Sequence, residues 1–362
     1  MTAPSIPHTP EDITADWLTD ALRSSGVITT SSATSIDAGD TSAGHGFTGR
    51  IARLAVTYDS HEKEAPCSII AKFPSYDPTI RAAVTDSAMS YEREIRCYEN
   101  LLGSVALSTP RRYYSAHDPE SSECILLLQD LAPARFGDNV GNPSREDIES
   151  AIRAIAGFHA EFWESPRLIE MDWLPEYAQD ADARQRAFRQ AIGPFLSTWG
   201  KYLRPSTIDL ISRLGDSLAC IRLQLSLPPR TILHGDYRLD NLAFDGSGRG
   251  PAVIDWQAPS IGRSVADMAY FIVYCIDPNE RRALESELLK LYHSVLVEHG
   301  VGAYDFESCM EDYRLSIAAN MLRTVRVGGT FDYSGDRAQA LLRTILHRVE
   351  TALSDHRVAE LI

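Results

Sequence analysis

The sequence His-Gly-Asp-Tyr-Arg-Leu-Asp-Asn occupies residues 234–241 and lies between two short apolar runs, Thr231–Leu233 and Leu242–Phe244. This pattern predicts a loop between two strands that presents an aspartate and, five positions later, an asparagine. Another carboxylate, Asp255, follows the apolar pair Val253–Ile254 at the end of the next predicted strand. A carboxylate in such a place is poorly solvated unless it is paired with a cation or binds a metal. The stretch therefore predicts the centre of a polar site.

Asn241 and Asp255 together offer two oxygen ligands to a hard cation. Mg²⁺ typically binds one or two carboxylates and completes its shell with water and substrate phosphates, so these residues are the predicted magnesium ligands. Asp236 then remains as a candidate base. The spacing is similar to that of protein kinases, with Gly235 in place of the usual Arg. The alternative, in which Asp236 and Asp240 cap turns, accounts for a lone Asp-x4-Asn but not for the full pattern.

A glycine-rich stretch of the form G-x-G-x-x-G precedes the first long apolar strand. It consists of Gly44, His45, Gly46, Phe47, Thr48 and Gly49. The same pattern occurs in dinucleotide-binding folds, but there it lies between a strand and a helix. Here it runs into a predicted strand, Arg50–Tyr58, which is the order of elements in kinases. Because glycines let backbone amides approach phosphate oxygens, the stretch is predicted to cover a nucleotide.

Lys72 follows the apolar residues Ile69–Ala71, so it lies inside a predicted buried strand. An ordinary strand lysine is a solvated edge residue, whereas a functional one would supply positive charge to the α- and β-phosphates of a nucleotide. A lysine in that role needs an acidic partner. Glu94, on the predicted helix Ser87–Leu102, is the first candidate, and Glu92 is the second.

The string His-Gly-Asp-x4-Asn followed by Ile-Asp-Trp resembles the signature of the aminoglycoside phosphotransferase and choline-kinase-like superfamily of small-molecule kinases. Two further stretches, Leu126–Leu131 and Asp255–Gln257 with Asp267–Phe271 after it, are similar to the ecdysteroid-kinase-like branch. The resemblance extends over roughly residues 10–350 and is most specific in the loop and metal motifs.

The resemblance implies transfer of the γ-phosphoryl group of ATP to a hydroxyl of a small-molecule acceptor, with ATP and Mg²⁺ as cofactors. It implies that Asp236 orients or deprotonates that hydroxyl and that Asn241 and Asp255 hold Mg²⁺. It also implies that His234 and Asp267 brace the loop.

For the nucleotide, the resemblance implies that Lys72 contacts phosphates and pairs with Glu94, and that backbone groups of Gln129 and Leu131 meet the adenine. Gln129 stands where the superfamily has an acid, with Asp130 behind it. Nucleotide binding remains the expectation, because the adenine contacts of this hinge involve the main chain.

The hydrophobic fraction of 44% and charged fraction of 23% are typical of a soluble globular protein, and 362 residues allow two to three domains. The longest apolar run, Met268–Ile276, is too short to span a bilayer. The first ten residues show no signal peptide, and the six scattered cysteines favour reduced thiols, so a cytoplasmic location is expected. The formal net charge of −15 opposes sequence-independent binding to nucleic acid or to anionic membranes. The oligomeric state cannot be inferred from the sequence.

The acidic excess is concentrated in residues 130–182, which contain twelve Asp or Glu against four Arg, a net of −8. Two interpretations stay open. The carboxylates are either the solvated faces of a pair of helices or an acidic wall that receives a cationic acceptor.

The order of elements predicts an α/β (α+β) chain with a two-lobed, protein-kinase-like fold. A small β-rich N-terminal lobe is expected over residues 1–128 and a larger helical C-terminal lobe over residues 129–362. A capped helix is expected from Thr9 to Gly26, then a polar stretch, then strands Arg50–Tyr58 and Cys67–Phe73.

Four other functions compete with a small-molecule kinase. A nucleotide-binding protein without transferase activity is opposed by the intact set of candidate residues. A protein kinase is disfavoured because no Ala-Pro-Glu follows Asp255 and only about ten residues separate it from the helix that begins at Val265. A dinucleotide-dependent oxidoreductase rests on the glycine-rich stretch alone, and a metallophosphoesterase needs more clustered metal ligands than the chain offers.

Overall fold

The computed structural model describes residues 5–40, 49–77, 81, 84, 90–330, 333 and 335–362. The chain divides into two compact units. The first contains Met1–Val105, Thr109–Ala134 and the short segment Ile254–Ala258, and the second contains the remaining residues. Among the described residues, no helix is both long enough and apolar enough to cross a membrane.

The first unit is built on a five-stranded antiparallel sheet in the order β1-β2-β3-β5-β4. Its strands are β1 (Ala33–Asp40), β2 (Gly49–Tyr58), β3 (Ser68–Pro74), β4 (Arg112–His117) and β5 (Cys124–Gln129). Two helices that the structure describes in full accompany the sheet, α1 (Ala15–Ser24) and α2 (Tyr91–Asn100).

Alternation explains the inward face of β2, where Ala52, Leu54 and Val56 are buried while the residues that follow each of them are exposed. Strand β5, which lies between β3 and β4, is apolar over most of its length and buried from Cys124 to Leu128. Complete burial of one Leu or Ile side chain contributes about 1.5–3 kcal/mol. The core formed under this sheet therefore fixes the position of β3, which carries Lys72.

The structure confirms the strands predicted at β2 and β3 to within one residue at each end. The predicted first helix is interrupted, because Thr9 caps only a 3₁₀ turn, Pro10–Asp12, and Thr14 starts α1 by accepting a hydrogen bond from the Trp17 amide (3.1 Å). Strand β1 falls within the polar stretch, for which no strand was predicted. It forms through backbone pairing with β2, which propensity alone does not reveal.

The second unit is mainly helical. Its helices are α3 (Arg145–Glu161), α4 (Arg167–Glu170), α5 (Ala181–Trp199), α6 (Pro205–Gln224), α7 (Val265–Cys275), α8 (Pro278–Glu298), α9 (Phe306–Thr330) and α10 (Asp336–Asp355). Two small sheets join them, one of β7 (Thr231–Leu233) with β10 (Ser260–Gly262) and one of β6 (Arg135–Phe136), β8 (Leu242–Phe244) and β9 (Ala252–Val253).

The loop at residues 234–241 leaves β7 and ends in a 3₁₀ turn, Leu239–Asn241, immediately before β8. Strand β7 is completely buried, and α7, from Val265 to Cys275, is buried at almost every position. The longest helix, α9, packs against α5, α6 and α7. These contacts hold the loop against α7 and α9, which supply its side-chain partners.

The predicted N-terminal part, residues 1–128, ends before the first unit does. Beyond β5, Asp130 accepts a hydrogen bond from Ser68 (2.6 Å) and pairs with Arg53 (3.0 Å). The chain therefore stays with the first unit past the predicted boundary. The first unit also takes in Ile254–Ala258, which the sequence analysis assigned to the C-terminal part.

Candidate active site

In the first unit, one lysine lies between two carboxylates. The Nζ atom of Lys72 lies 2.5 Å from Oε1 of Glu94 and 3.0 Å from Oδ1 of Asp255. Strand β3, helix α2 and the segment after β9 each supply one member of this group. Two negative charges surround one positive charge, so the group as a whole has an affinity for a further cation.

Glu94, rather than Glu92, occupies the position beside Lys72, whereas Glu92 pairs with Arg96 on the surface (2.7 Å). Glu94 is 2% exposed, and its Oε2 accepts a hydrogen bond from Nε2 of Gln257 (3.3 Å). Helical phase decides between the two glutamates, because residues two positions apart on a helix point to different faces.

Burial and charge act in opposite directions on this group. Burial raises the pKa of Glu94, and the positive charge of Lys72 opposes that rise. Burial lowers the pKa of Lys72, but the charges of Asp255 and Glu94 outweigh it, so the net effect raises the pKa. Lys72 is therefore a permanent cation at neutral pH.

Asp255 has a backbone φ of +67°, in the left-handed region that few non-glycine residues adopt. Strand β9 ends at Val253, and the chain turns at Asp255 instead of continuing as a strand. Aspartate is one of the residues that tolerates this conformation, at a cost of about 1–2 kcal/mol. The turn brings its carboxylate to Lys72.

Of the predicted nucleotide-covering stretch, only Gly49 belongs to the described residues. Gly44, Gly46, Phe47 and Thr48 lie outside them. Gly49 begins β2 opposite Pro74, and a Cβ atom there would lie 2.8 Å from the carbonyl oxygen of Phe73. This close approach requires glycine at the end of the stretch.

The predicted hinge residues lie at the end of β5 and just beyond it. The amide of Gln129 donates to the carbonyl of Arg111 (2.8 Å), and the carbonyl of Leu131 accepts from Ala134 (2.8 Å). Within the described part of the chain, the amide of Leu131 donates no hydrogen bond. This amide is consequently available to an acceptor atom such as a ring nitrogen of adenine.

In the second unit, four side chains surround the carboxylate of Asp236, which is 7% exposed. Its Oδ1 accepts hydrogen bonds from the hydroxyl of Tyr270 (2.8 Å) and from Nη2 of Arg323 (2.8 Å). Its Oδ2 accepts one from Nδ2 of Asn241 (3.0 Å), and Nε of Arg238 lies 3.5 Å away. Every described partner of this carboxylate is a donor or a cation.

Burial alone would raise the pKa of Asp236, but the charges of Arg238 and Arg323, with smaller contributions from His234 and the Tyr270 hydroxyl, lower it to about 2. The carboxylate is therefore ionised at neutral pH. An ionised carboxylate of such low basicity is suited to accepting a hydrogen bond and orienting its donor.

Asp267, near the start of α7, holds the loop at residues 234–241 through hydrogen bonds to its backbone. Its Oδ2 accepts from the amide of His234 (2.7 Å) and its Oδ1 from the amide of Gly235 (2.9 Å), while Nε2 of His159 lies 3.3 Å from Oδ2. Nδ1 of His234 in turn accepts from the amide of Asp236 (3.2 Å). These contacts agree with the bracing role implied for His234 and Asp267.

The sequence analysis missed Tyr270 and Arg323. Tyr270 lies three positions after Asp267, on the same face of α7, so helical spacing was a usable signal. Arg323 lies on α9, far along the chain, and no local pattern marks it. Besides contacting Asp236, it donates a hydrogen bond to the carbonyl of Gly235.

The proposed magnesium ligands have the right kind of donor atom. Because Nδ2 of Asn241 donates to the carbonyl (2.9 Å) and to Oδ2 of Asp236, its Oδ1 remains available, and no described group donates to it. Asp255 likewise uses Oδ1 toward Lys72. Amide and carboxylate oxygens are ligands that Mg²⁺ accepts. Among the described residues, no group of three His, Cys, Asp or Glu side chains could hold a metal ion.

Solved structures share this fold. A choline kinase from Cryptosporidium parvum matches with a TM-score of 0.57 at 14% identity, over 90% of this chain and 92% of that one. An ethanolamine kinase from Plasmodium vivax matches with a TM-score of 0.52 at 13% identity, over 89% and 82%. The GDP and kanamycin complex of APH(2")-IIia matches with a TM-score of 0.54 at 13% identity, over 93% and 98%. The fold is thus of the kinase-like α/β class.

Residues 43–301 match the model of the ecdysteroid kinase-like family, and the chain belongs to that family. The structure and the family confirm the suspected superfamily of small-molecule kinase-like phosphotransferases. Acyl-CoA dehydrogenase family member 10 of Mus musculus is 36% identical over 77 residues, which is 21% of this chain and 7% of that protein. The chain therefore spans only a small part of that relative's length.

Proposed function

We propose that this protein transfers the γ-phosphoryl group of Mg²⁺–ATP to a hydroxyl of a small molecule. The observation that carries the proposal is the environment of Asp236, a buried, ionised carboxylate whose described partners are all donors or cations. Phosphoryl transfer depends chiefly on alignment of the acceptor and on charge stabilisation, and both are available in these residues.

Asp236 would orient the acceptor hydroxyl. Each carboxylate oxygen can accept about two hydrogen bonds. Oδ1 already accepts two, from Tyr270 and Arg323, whereas Oδ2 accepts one, from Asn241. The remaining position on Oδ2 is where the acceptor hydroxyl would donate. A hydroxyl that donates there would keep a lone pair available for attack on the phosphorus.

The nucleotide would be bound by groups of the first unit. Lys72, kept cationic by Glu94 and Asp255, would contact the phosphates, and the free amide of Leu131 with the carbonyl of Gln129 would meet the adenine. Gly44–Gly49 would cover the phosphates. When bound, Mg²⁺ would neutralise phosphate charge, and its ligands from the protein would be Asn241 and Asp255.

The test is ADP release from Mg²⁺–ATP with a panel of small hydroxyl compounds. Asp236→Asn should lower turnover by ~10²–10⁴ with the best acceptor, the usual value for a positioned acid or base, and should leave ATP affinity within about twofold. Asp245→Asn is the matched control, because this exposed aspartate lies in the turn after β8 and its side-chain partners among the described residues are Ser247 and Arg249.

Two outcomes would contradict the proposal. If the protein bound Mg²⁺–ATP by calorimetry but released no ADP with any acceptor, it would be a nucleotide-binding protein without transferase activity. Wild-type turnover in Asp236→Asn would remove Asp236 from the mechanism. Repeating the assay with GTP measures which nucleotide is preferred.

A further inference from the structure

Four arginines of the second unit act on one another electrostatically, and one of them contacts Asp236. Three helices that pack against one another supply them, α5, α6 and α9. The arginine cluster consists of Arg184 on α5, Arg222 on α6, and Arg323 and Arg326 on α9. Arg323 and Arg326 are three positions apart, so they lie on one face of α9. Arg323 joins the cluster to Asp236, with Nη2 2.8 Å from Oδ1.

Main-chain carbonyls, not carboxylates, hold two of these side chains. Arg184 donates through Nε to the carbonyl of Gln179 (3.0 Å). Arg222 donates to the carbonyl of Tyr177, and its guanidinium lies 4.4 Å from the centre of the Tyr177 ring. A carbonyl fixes the direction of a guanidinium but leaves its positive charge uncompensated. Both side chains therefore stay oriented with donors to spare, since arginine carries five N–H groups.

Arg326 has the fewest compensating contacts of the four arginines. Within the described residues it forms no ion pair and no hydrogen bond. Burial and the charges of Arg184, Arg323 and Arg222 lower its pKa to about 10. Burial also lowers the pKa of Arg222 to about 10, and Arg184 and Arg323 add to that effect. Both values remain above neutral pH, so all four side chains stay charged and repel one another.

Keeping four positive charges close together and partly buried costs free energy unless an anion binds to them. Partly buried charges need partners of opposite sign, and arginine does not neutralise itself by losing a proton. The carboxylates with the largest effects on the cluster are Asp236 and Asp180, against four arginines. The fold therefore keeps an excess of positive charge beside the carboxylate that would orient the acceptor.

We propose that the phosphoryl acceptor carries an oxyanion, a carboxylate or a phosphate, in addition to the hydroxyl that is phosphorylated, and that the arginine cluster binds this oxyanion. The proposal rests on the proposed function, since it names the class of acceptor for that reaction. Planar guanidinium groups bind carboxylate and phosphate oxygens in pairs, which would fix the orientation of the acceptor as well as hold it.

Within the acidic segment at residues 130–182, Asp180 offsets part of this charge, but many of the other carboxylates are already paired. Six of its twelve carboxylates form ion pairs with arginines. These are Asp130, Asp138, Asp147, Glu149, Glu161 and Glu176. The structure thus favours solvated, paired helix faces for this segment over an acidic wall, and the charge next to Asp236 has the sign that suits an anionic acceptor.

The first experiment measures anion binding without nucleotide or turnover. Melting temperatures of the full chain are recorded with inorganic phosphate or acetate against chloride at equal ionic strength. Phosphate should raise the melting temperature of the wild type and of Arg189→Gln, a control that removes an exposed arginine of α5 paired with Asp216. In Arg326→Gln the rise should be less than half as large. Without phosphate, Arg326→Gln should melt at or above the wild-type temperature, because one repelling charge is gone.

The second experiment measures kcat and KM by ADP release with matched acceptors. Hydroxy acids are compared with their amides, and monophosphate esters of diols with the free diols, so that the two kinds of oxyanion are separated. The wild type should prefer the anionic member of each pair. Arg326→Gln should raise KM for that member by about 10- to 100-fold, the usual effect of one charge-assisted hydrogen bond, and leave the neutral member unchanged.

Three results would overturn the proposal. Preference for neutral acceptors would do so directly. An equal loss of kcat for neutral and anionic acceptors in Arg326→Gln would assign the cluster to the transferred phosphoryl group instead. A lower melting temperature of Arg326→Gln with an undiminished response to phosphate would make the cluster structural. By contrast, a phosphate response that disappears in Arg326→Gln, with no ADP release from any acceptor, would refute the proposed function while leaving an anion site.

Discussion

Replacing Lys72 by methionine should destabilise the protein by about 3–5 kcal/mol at pH 8, the value typical of breaking a buried ion pair. Methionine has a similar length and keeps the apolar contacts of the strand. Lys72 Nζ lies 3.0 Å from Asp255, and at an effective dielectric constant of about 20 two unit charges at that distance attract by about 5.5 kcal/mol. The shorter contact to Glu94, 2.5 Å, adds to this, and the cost of desolvating all three groups subtracts from it.

The loss of unfolding free energy in Lys72→Met should increase as the pH rises. The pKa of Glu94 is raised by burial, and the charge of Asp255 adds to the rise while that of Lys72 opposes it. Lys72→Met removes the opposing charge, so the folded protein retains a proton on Glu94 where the unfolded chain, with a pKa of about 4.3, has lost it. The contribution of Glu94 to the stability of the variant is therefore greatest below about pH 4 and decreases as the pH rises through the folded-state pKa.

The assay is urea unfolding of the full chain at several pH values from 5 to 9. Lys63→Met is the control, because Lys63 is an exposed lysine in the turn before β3. Adding Glu94→Gln to Lys72→Met should recover at least half of the lost free energy and abolish its pH dependence. A deficit below about 1 kcal/mol, or one that does not change with pH, would refute the assignment of Lys72 and Glu94 as a mutually dependent buried pair.

Three further changes test other parts of the site. Asp255→Asn should weaken Mg²⁺–ATP binding more than Asn241→Ala does, because it removes a formal charge from a site for a divalent cation; equal affinities by calorimetry would contradict this. Asp267→Asn should lower kcat with little change in ATP affinity, since it loosens the amides of His234 and its neighbour, and an unchanged kcat would exclude a positioning role. Gly49→Val should destabilise the protein by about 1–3 kcal/mol in urea unfolding, because its Cβ meets the carbonyl of the facing strand at 2.8 Å; wild-type stability would show that the strand yields there.

Local patterns were enough to predict much of the fold. Strands β2, β3 and β5 are recognisable because their apolar residues alternate or run unbroken, and the loop at 234–241 because its polar residues sit between two apolar runs. Strands β1, β4, β6 and β10 escaped prediction. Each is defined by pairing with a neighbour that lies elsewhere in the chain, and short or polar segments carry little intrinsic preference for a strand.

The same distinction applies to the site. Lys72 and the candidates for its partner could be named in advance, but only the phase of α2 decides in favour of Glu94 over Glu92. The arginine cluster was not predictable, because Arg184, Arg222 and Arg326 lie on three helices far apart in sequence, and isolated helical arginines are usually solvated. The net charge of the sequence segment 130–182 is negative, which suggested an acidic site. The side chains that lie around Asp236 in the structure carry a net positive charge.

The segment Ile254–Ala258 belongs to the first unit although the residues on both sides of it belong to the second. The chain therefore enters the first unit again after most of the second has been made. A fragment ending at Ala134 would lack Asp255 and Gln257 and leave Lys72 and Glu94 with half of their partners. During synthesis, the sheet-containing unit thus cannot complete its polar centre until residue 258 has emerged. No single cut yields two self-sufficient modules, so recombination between relatives that respects this architecture must exchange at least two separate stretches of the gene.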